Sequence, residues 1–133
     1  MTDPLTYARE VVGQDPMARH LGIEVREVRE NYARLGLTVR PEHLNALGRA
    51  HGIIVYAMLD QAVAVAANST AGSAVILESK INFLNGVSVG ARLEAEARPV
   101  EKKRKIGVWS VLVRQEGGGT LVAAGQATTY HKE

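Results

Sequence analysis

The chain has 133 residues, of which 46% are apolar, and this fits a single globular domain with a buried core and no second domain. Its 16 basic and 14 acidic residues leave a formal charge of +2, spread along the chain, which excludes the basic footprint of a nucleic-acid-binding protein. The absence of cysteine excludes disulfides, a thiolate nucleophile and any cysteine-based metal site.

The first segment of the chain predicts a short outer helix. Asp3 followed by proline is a typical cap and first turn, and the helix should cover about residues 4–12. Asp15, again followed by proline, then breaks the pattern. Because the segment contains acids and lacks a cationic stretch followed by an apolar one, we expect no signal or transit peptide and a cytoplasmic protein.

The region from about 22 to 40 is rich in strand-forming residues. From Ala33 to Val39 the odd positions are apolar, which is the period of a half-buried strand. We predict a bent or paired strand that ends at Pro41, followed by a polar loop.

A long apolar helix is predicted to follow that loop, beginning at about Gly52 and ending near the stop signals at residues 68–72. Its residues are apolar on every side, so we expect it to be buried on every side. Its apolar run from Ile53 to Ala67 is shorter than the roughly 20 residues of a membrane span and carries Asp60 and Gln61 in its middle. A buried helix of a soluble protein is therefore favoured over a membrane helix.

Four strand-like segments complete the chain, and the turns between them suit antiparallel neighbours. They cover about residues 73–84, 91–102, 106–115 and 120–131. With one apolar helix and five or six strands, the economical packing is an antiparallel sheet curled around the helix. The sequence therefore predicts one α+β domain over residues 1–133.

Gly52 lies where the long helix begins. The first turn of a helix has backbone N–H groups without internal partners and a positive dipole end, which suit a developing oxyanion. Glycine also lets a carbonyl group approach the backbone closely. The alternative is that Gly52 only eases entry into the helix.

Asp60 is a carboxylate in the middle of the apolar helix. An isolated buried carboxylate is strongly penalised unless it is paired, neutralised or open to a cavity. A hydrogen bond to nearby backbone or a solvated notch at a subunit contact would explain it structurally. The functional alternative is a nucleophile or general base with an environment-tuned pKa.

The spacing of Gly52 and Asp60 indicates a dimer. Eight residues at about 1.5 Å of rise each separate them by roughly 12 Å along the helix, too far for both to contact one small reacting group. A two-fold dimer with antiparallel helices would place Gly52 of one chain opposite Asp60 of the other, giving two sites per dimer.

Asn45 and His51 are the other polar candidates in the loop before the helix. Either can donate a hydrogen bond, although a loop asparagine is usually a turn residue and a lone histidine is usually packed or solvated. We predict no metal site, because His43 and His51 lack a neighbouring acid at the spacing of helical metal ligands.

Together these residues form the pattern His43-x-Asn45-x-x-Gly48-x-x-His51-Gly52, followed by Asp60. The pattern resembles the hot-dog fold thioesterases of the phenylacetate-degradation PaaI-like family. The segment from Ile81 to Leu84 resembles that family's next strand, and the resemblance covers about residues 20–131.

The resemblance implies a fold, an assembly and a set of roles. It implies a long helix wrapped by an antiparallel sheet, active sites shared across a dimer, and a homotetramer of two dimers, with no cofactor. It implies that the Gly52 N–H polarises the thioester carbonyl of an acyl-CoA, that Asn45 holds the carbonyl or the attacking water, and that Asp60 of the other subunit attacks or activates water. His51 and Gly48 would shape and line the binding loop.

A basic run from Lys102 to Lys105 falls where the family places a cation near Arg104, beside the CoA phosphates. By resemblance, Lys103 and Arg104 would bind those phosphates. The alternative is a solvated hairpin turn whose lysines keep the sheet edge soluble.

The chain departs from the family pattern in three places. Ile53 stands where members often have a second glycine, Asn85-Gly86 replaces an arginine-proline pair, and Ala64 replaces the hydroxyl residue of some relatives. These departures affect the substrate assignment and leave the fold prediction in place.

The favoured function is an acyl-CoA thioesterase for aryl-acetyl or medium-chain acyl groups. The alternative is a non-catalytic module that binds or senses acyl-CoA in the same groove. A hot-dog hydratase ranks last, because we find no matching pair of aspartate and histidine on a loop after a strand.

Overall fold

The computed structural model describes residues 3–132. The elements in chain order are α1 (Pro4–Thr6), a π-helical segment (Tyr7–Val12), α2 (Pro16–Leu21), β1 (Glu24–Arg29), β2 (Tyr32–Thr38), a 3-10 turn (Pro41–His43), α3 (Gly52–Ala67), β3 (Ser73–Phe83), β4 (Arg92–Lys102), β5 (Ile106–Gln115) and β6 (Leu121–Lys132). None of the helices in residues 3–132 is long and apolar enough to cross a membrane.

Within residues 3–132, six strands form one antiparallel sheet in the order β1-β2-β4-β5-β6-β3. The sheet curls around α3, so the predicted α+β arrangement is confirmed, with six strands. Its two edges are β1 and β3. On β3 the apolar side chains of Val75 and Leu77 are 43% and 61% exposed, so this edge offers both unpaired backbone groups and apolar surface.

The core lies between α3 and the concave face of the sheet. Alternate strand residues such as Leu35, Leu37 and Trp109 are buried there against Met58 and Leu59 of the helix. At one point the contact is too close for a side chain: a β-carbon added at Gly125 would lie 2.4 Å from a methyl carbon of Leu59. Glycine at this position of β6 therefore lets α3 pack closely on the sheet.

Of the two forms predicted for the region 22–40, a bent strand or a paired one, the structure has the paired form: the hairpin β1–β2, turned at Asn31 with a φ of 60°. The first helical segment ends at Val12, as predicted. The sequence patterns did not predict α2, which begins directly after Asp15 because the Asp15 side chain accepts a hydrogen bond from the Ala18 N–H at 3.0 Å and so caps the helix.

The expectation that α3 is buried on every side is wrong for the single chain. Ile53 is 67% exposed, and Asp60 is exposed as well. Tyr56, Ala57 and Ala64 are half-buried on the same side at helical spacing. The sheet wraps most of the helix and the N-terminal segment packs on it, but one apolar stripe is left open in the single chain.

Candidate active site

Asn45 organises the loop that precedes α3. Its Oδ1 accepts hydrogen bonds from the Leu47 N–H at 2.9 Å and the Arg49 N–H at 3.0 Å. The base of the loop is closed by a hydrogen bond from the His51 N–H to the His43 carbonyl at 2.8 Å. Because Oδ1 is held by two backbone donors, Nδ2 is the group of Asn45 left to donate, and it has no acceptor within residues 3–132.

Gly48 lies at the exposed tip of this loop. Its φ of +77° is in the left-handed region that glycine adopts without strain. Its N–H donates to the carbonyl of Asn45 at 3.0 Å. The hydrogen bond of the Gly48 N–H is therefore made inside the loop, to Asn45.

His51 caps the start of α3. Its Nδ1 accepts a hydrogen bond from the Ile53 N–H at 3.0 Å, while its carbonyl accepts from the Ile54 N–H at 2.9 Å. Gly52 lies between His51 and Ile53, and its N–H has no acceptor in the described part of the chain. The cap therefore leaves Gly52 as a backbone donor available to a ligand.

The Gly52 position opens onto a cavity of about 310 Å³. Asn45 lines the same cavity, together with Phe83 and the Asn85-Gly86 turn. A β-carbon at position 52 would lie 3.3 Å from the Phe83 ring, so glycine leaves a narrow free space beside this N–H. The cavity thus combines two hydrogen-bond donors without acceptors in the described chain, the Gly52 N–H and the Asn45 Nδ2.

A second, mostly apolar groove of about 580 Å³ runs from Gly52 along the open stripe of α3. Its walls are formed by Met17, Leu21, Gly52, Ile53, Tyr56, Ala57, Asp60 and Phe83. Tyr56 is held by a hydrogen bond between its hydroxyl and that of Ser79 on β3. The structure therefore brings Gly52 and Asp60 to one groove, at opposite ends of two helical turns. A cavity of about 610 Å³ beside α2 and β1 holds neither residue.

Asp60 is a carboxylate with no hydrogen bond or ion pair among residues 3–132. Its side chain is exposed toward the groove, yet the apolar side chains around it desolvate it enough to raise its pKa above the ordinary value, and the carboxylate of Asp15 raises it further. Of the structural alternatives, a compensating hydrogen bond is absent from the described chain. Asp60 is instead a carboxylate open to a cavity.

Lys103 and Arg104 lie far from Gly52 on the same chain. The loop before α3 contacts the segment that leads into β4, through a hydrogen bond from the Ala50 N–H to the Val87 carbonyl at 2.9 Å. Lys103 follows the other end of β4, eleven residues beyond Arg92, or about 36 Å along the strand. Within one chain the structure does not bring this basic turn to the site.

Arg49 is a cation near the site that the sequence patterns did not single out. Its guanidinium packs on Gly86, with Nη2 3.1 Å from where a β-carbon would lie. It has no carboxylate partner within residues 3–132. The sequence signal for Arg49 was the departure from arginine-proline at positions 85 and 86, since a side chain at 86 would crowd this packing.

Within residues 3–132, no three His, Asp or Glu side chains cluster closely enough to hold a metal ion.

The sequence matches a family of enzymes and is similar to a named thioesterase. Residues 47–122 match the Thioesterase superfamily. The acyl-coenzyme A thioesterase PaaI of Escherichia coli K12 is 30% identical over 110 residues, which cover 82% of this chain and 79% of that protein.

Solved structures give matches of the same kind. A mutant of the phenylacetic acid degradation protein PaaI from Thermus thermophilus superposes with a TM-score of 0.84 at 35% identity, covering 89% of this chain and 100% of that one. The smu.793 protein from Streptococcus mutans UA159, solved bound to acetyl CoA, gives a TM-score of 0.78 at 26% identity, covering 83% of this chain and 88% of that one.

Proposed function

Since this chain belongs to the Thioesterase superfamily and has the hot-dog fold of its PaaI-like members, we propose that it hydrolyses acyl- or aryl-acetyl-CoA to the free acid and CoA. It is a thioester hydrolase by family. One observation carries the proposal for the site: a single groove joins a backbone N–H without an acceptor in the described chain, at Gly52, to a carboxylate without a partner there, at Asp60.

Gly52 is proposed to polarise the thioester carbonyl. As the carbonyl carbon is attacked, negative charge develops on its oxygen, and a fixed N–H at the positive end of α3 stabilises that charge. The Asn45 Nδ2 lines the same cavity and supplies a second donor to the carbonyl or to the attacking water. Both donors are held in place before the substrate binds, so little reorganisation is needed.

Asp60 is proposed to act across a two-fold dimer. The roughly 12 Å between it and Gly52 along one helix exceeds the reach of a single thioester group. The exposed edge of β3 and the open stripe of α3 are surfaces that a second copy would cover. Antiparallel pairing of two β3 edges would lay the helices antiparallel and bring Asp60 of one protomer toward Gly52 of the other. We further propose that two such dimers form the homotetramer that the family resemblance implies.

The same two-fold arrangement would bring Lys103 and Arg104 of one protomer to the site of the other. Their turn lies at the Ser73 end of β3, because Ser73 pairs with Lys132 and the neighbouring His131 N–H bonds to Lys105. Gly52 lies at the Phe83 end. Antiparallel β3 strands across a two-fold axis bring these ends together, so the basic turn of one protomer would bind the CoA phosphates at the other protomer's site. The acyl group would then occupy the apolar groove.

Two chemical routes fit the site. As a nucleophile, Asp60 attacks the thioester carbon and expels the CoA thiolate, and water then cleaves the mixed anhydride. As a general base, it takes a proton from water while the water oxygen attacks, and the thiolate leaves with a proton. A single turnover in heavy-oxygen water tests the first route, since label in the Asp60 carboxyl would establish the anhydride.

The test of the proposed function is release of free CoA from a panel of acyl- and aryl-acetyl-CoA thioesters, run on the wild type and on Asp60→Asn. We expect turnover by the wild type and its loss in the variant. Unaltered turnover in Asp60→Asn would reject Asp60 as the catalytic carboxylate. Tight acyl-CoA binding without hydrolysis over hours would support the non-catalytic binding module instead.

A further inference from the structure

Asp15 lies at the N-terminal end of α2, the helix that forms one wall of the groove. Its Oδ1 accepts a hydrogen bond from the Ala18 N–H at 3.0 Å and so caps the helix. Met17 and Leu21 of the same helix line the groove together with Asp60. The cap therefore fixes the Asp15 carboxylate relative to the groove wall.

A shared carbonyl ties the start of α2 to the middle of α3. The Val12 oxygen accepts a hydrogen bond from the Asp15 N–H at 3.3 Å and another from Gln61 Nε2 at 2.7 Å. Gln61 is buried and directly follows Asp60. Asp15 is thereby anchored at the Asp60 end of the groove, while the Leu21 end of α2 lies toward the loop before α3.

Asp15 acts electrostatically on Asp60, and no cation is paired to Asp60 in the described chain. Other charged side chains occur on the elements packed around Asp60: Arg9 and Glu10 on the π-helical segment, Arg19 and His20 on α2, and Glu78 and Lys80 on β3. None of them makes an ion pair with Asp60. Desolvation is the larger cause of the raised pKa of Asp60, and Asp15 is the charged group that adds to it.

We propose that Asp15 is a positioning residue for Asp60, whose fixed negative charge makes Asp60 a stronger base or nucleophile than the groove alone would. A like charge nearby disfavours ionisation of a second carboxyl group and so increases its affinity for a proton. A carboxylate with higher proton affinity accepts a proton from water, or attacks a carbonyl carbon, more readily. This inference rests on the proposed thioesterase function.

Asp15→Asn tests the proposal, because asparagine retains the Oδ1 acceptor and is among the best helix caps. The acidic limb of the pH profile of kcat should move to lower pH, and kcat at the plateau should fall by no more than about threefold. Added salt should shrink the difference between variant and wild type, since the interaction passes partly through solvent.

Asp3→Asn is the matched control. Asp3 caps the first helical turn in the same way, with the Thr6 N–H donating to its Oδ1 at 3.1 Å, and it is not among the groups that act on Asp60. The control should leave the acidic limb in place. An unmoved limb in Asp15→Asn, a limb moved to higher pH, or equal shifts in both variants would overturn the proposal.

A titration independent of activity separates this proposal from the proposed function. The carboxyl carbon signal of Asp60, assigned by its loss in Asp60→Asn, should titrate at lower pH in Asp15→Asn than in the wild type. If the wild type hydrolyses no thioester, the proposed function fails while this titration still tests the coupling. If hydrolysis occurs and the titration midpoint is the same in both proteins, the coupling fails alone.

Discussion

The Nδ1 atom of His51 accepts a hydrogen bond from the Ile53 N–H at 3.0 Å, so the Gly52 N–H between them is the donor that α3 leaves without an acceptor in the described chain. A capping side chain normally satisfies one of the first donors of its helix. Here the cap satisfies the second helical position and leaves the first one open to the cavity. This N–H is therefore the first part of the site to remove by substitution.

Gly52→Pro removes this N–H while keeping the helix. Proline is favoured at the first helical position, and His51 already has the extended backbone, with φ of −66° and ψ of 141°, that precedes a proline. Gly52→Ala is the control, because it adds a β-carbon and keeps the N–H. We expect kcat/KM for the best thioester to be lower in Gly52→Pro than in Gly52→Ala by about 10²–10³-fold. Equal activity in the two variants would reject the N–H as the carbonyl donor.

Asp60→Asn should abolish most of the hydrolysis. The amide has nearly the shape of the carboxylate but neither attacks a carbonyl carbon nor accepts a proton from water at neutral pH. We expect kcat to fall by about 10²–10⁴-fold with a folded protein of unchanged circular dichroism. A variant that retains more than about a tenth of the wild-type rate would exclude a direct role for the carboxylate.

The same variant should be more stable than the wild type at neutral pH. The pKa of Asp60 is raised in the folded state above its ordinary value of 3.8, so the folded chain binds more protons than the unfolded chain between the two values. The stability associated with protonated Asp60 is complete below the unfolded pKa and is lost as pH rises through the folded pKa. Thermal unfolding should therefore show a higher Tm for Asp60→Asn near neutral pH and a smaller difference near about pH 4. A larger advantage at the acidic pH would contradict this sign.

Asn45→Asp separates the two functions of the Asn45 side chain. Aspartate keeps an oxygen for the Leu47 and Arg49 N–H groups but has no Nδ2 donor. We expect an unchanged Tm, within about a degree or two, and a kcat lowered by at least about tenfold. Asn45→Ala should lose both activity and stability, since it leaves the two turn donors without their acceptor. Wild-type kcat in Asn45→Asp would assign Asn45 to the turn alone.

Mixed dimers test whether each site is shared between protomers. Asp60→Asn and Gly52→Pro chains are each expected to be inactive alone. In a hybrid dimer, one site would combine an intact Gly52 with an intact Asp60 from the partner. Random mixing by refolding or co-expression should therefore restore about a quarter of the wild-type activity. No restoration in hybrids confirmed by mass would place both residues of a site on one chain.

Much of the fold is readable from local patterns. The apolar run from Gly52 to Ala67, the period of two in the last four strands and the turns between them predict α3 and β3 to β6 to within a residue or two. The pattern was incomplete at Asp15 and its proline: the first helical segment ends at Val12 as predicted, but the pair also begins α2. The second helix was missed because a residue pair that interrupts one helix can also cap the next.

Helix geometry alone determined that Gly52 and Asp60 are about 12 Å apart on one helix, since the rise per residue does not depend on the rest of the chain. The family pattern likewise depends only on residue spacing. Properties of this kind can be derived before any tertiary contact is known.

Tertiary structure alone decided which side of α3 stays open, which carboxylate acts electrostatically on Asp60, and which end of the sheet carries Lys103 and Arg104. Each of these depends on contacts between residues far apart in the chain, such as the Gln61 bond to Val12 and the β3–β6 register. Sheet register and helix packing arise from how buried surfaces fit together, and a linear pattern of apolar residues does not specify that fit.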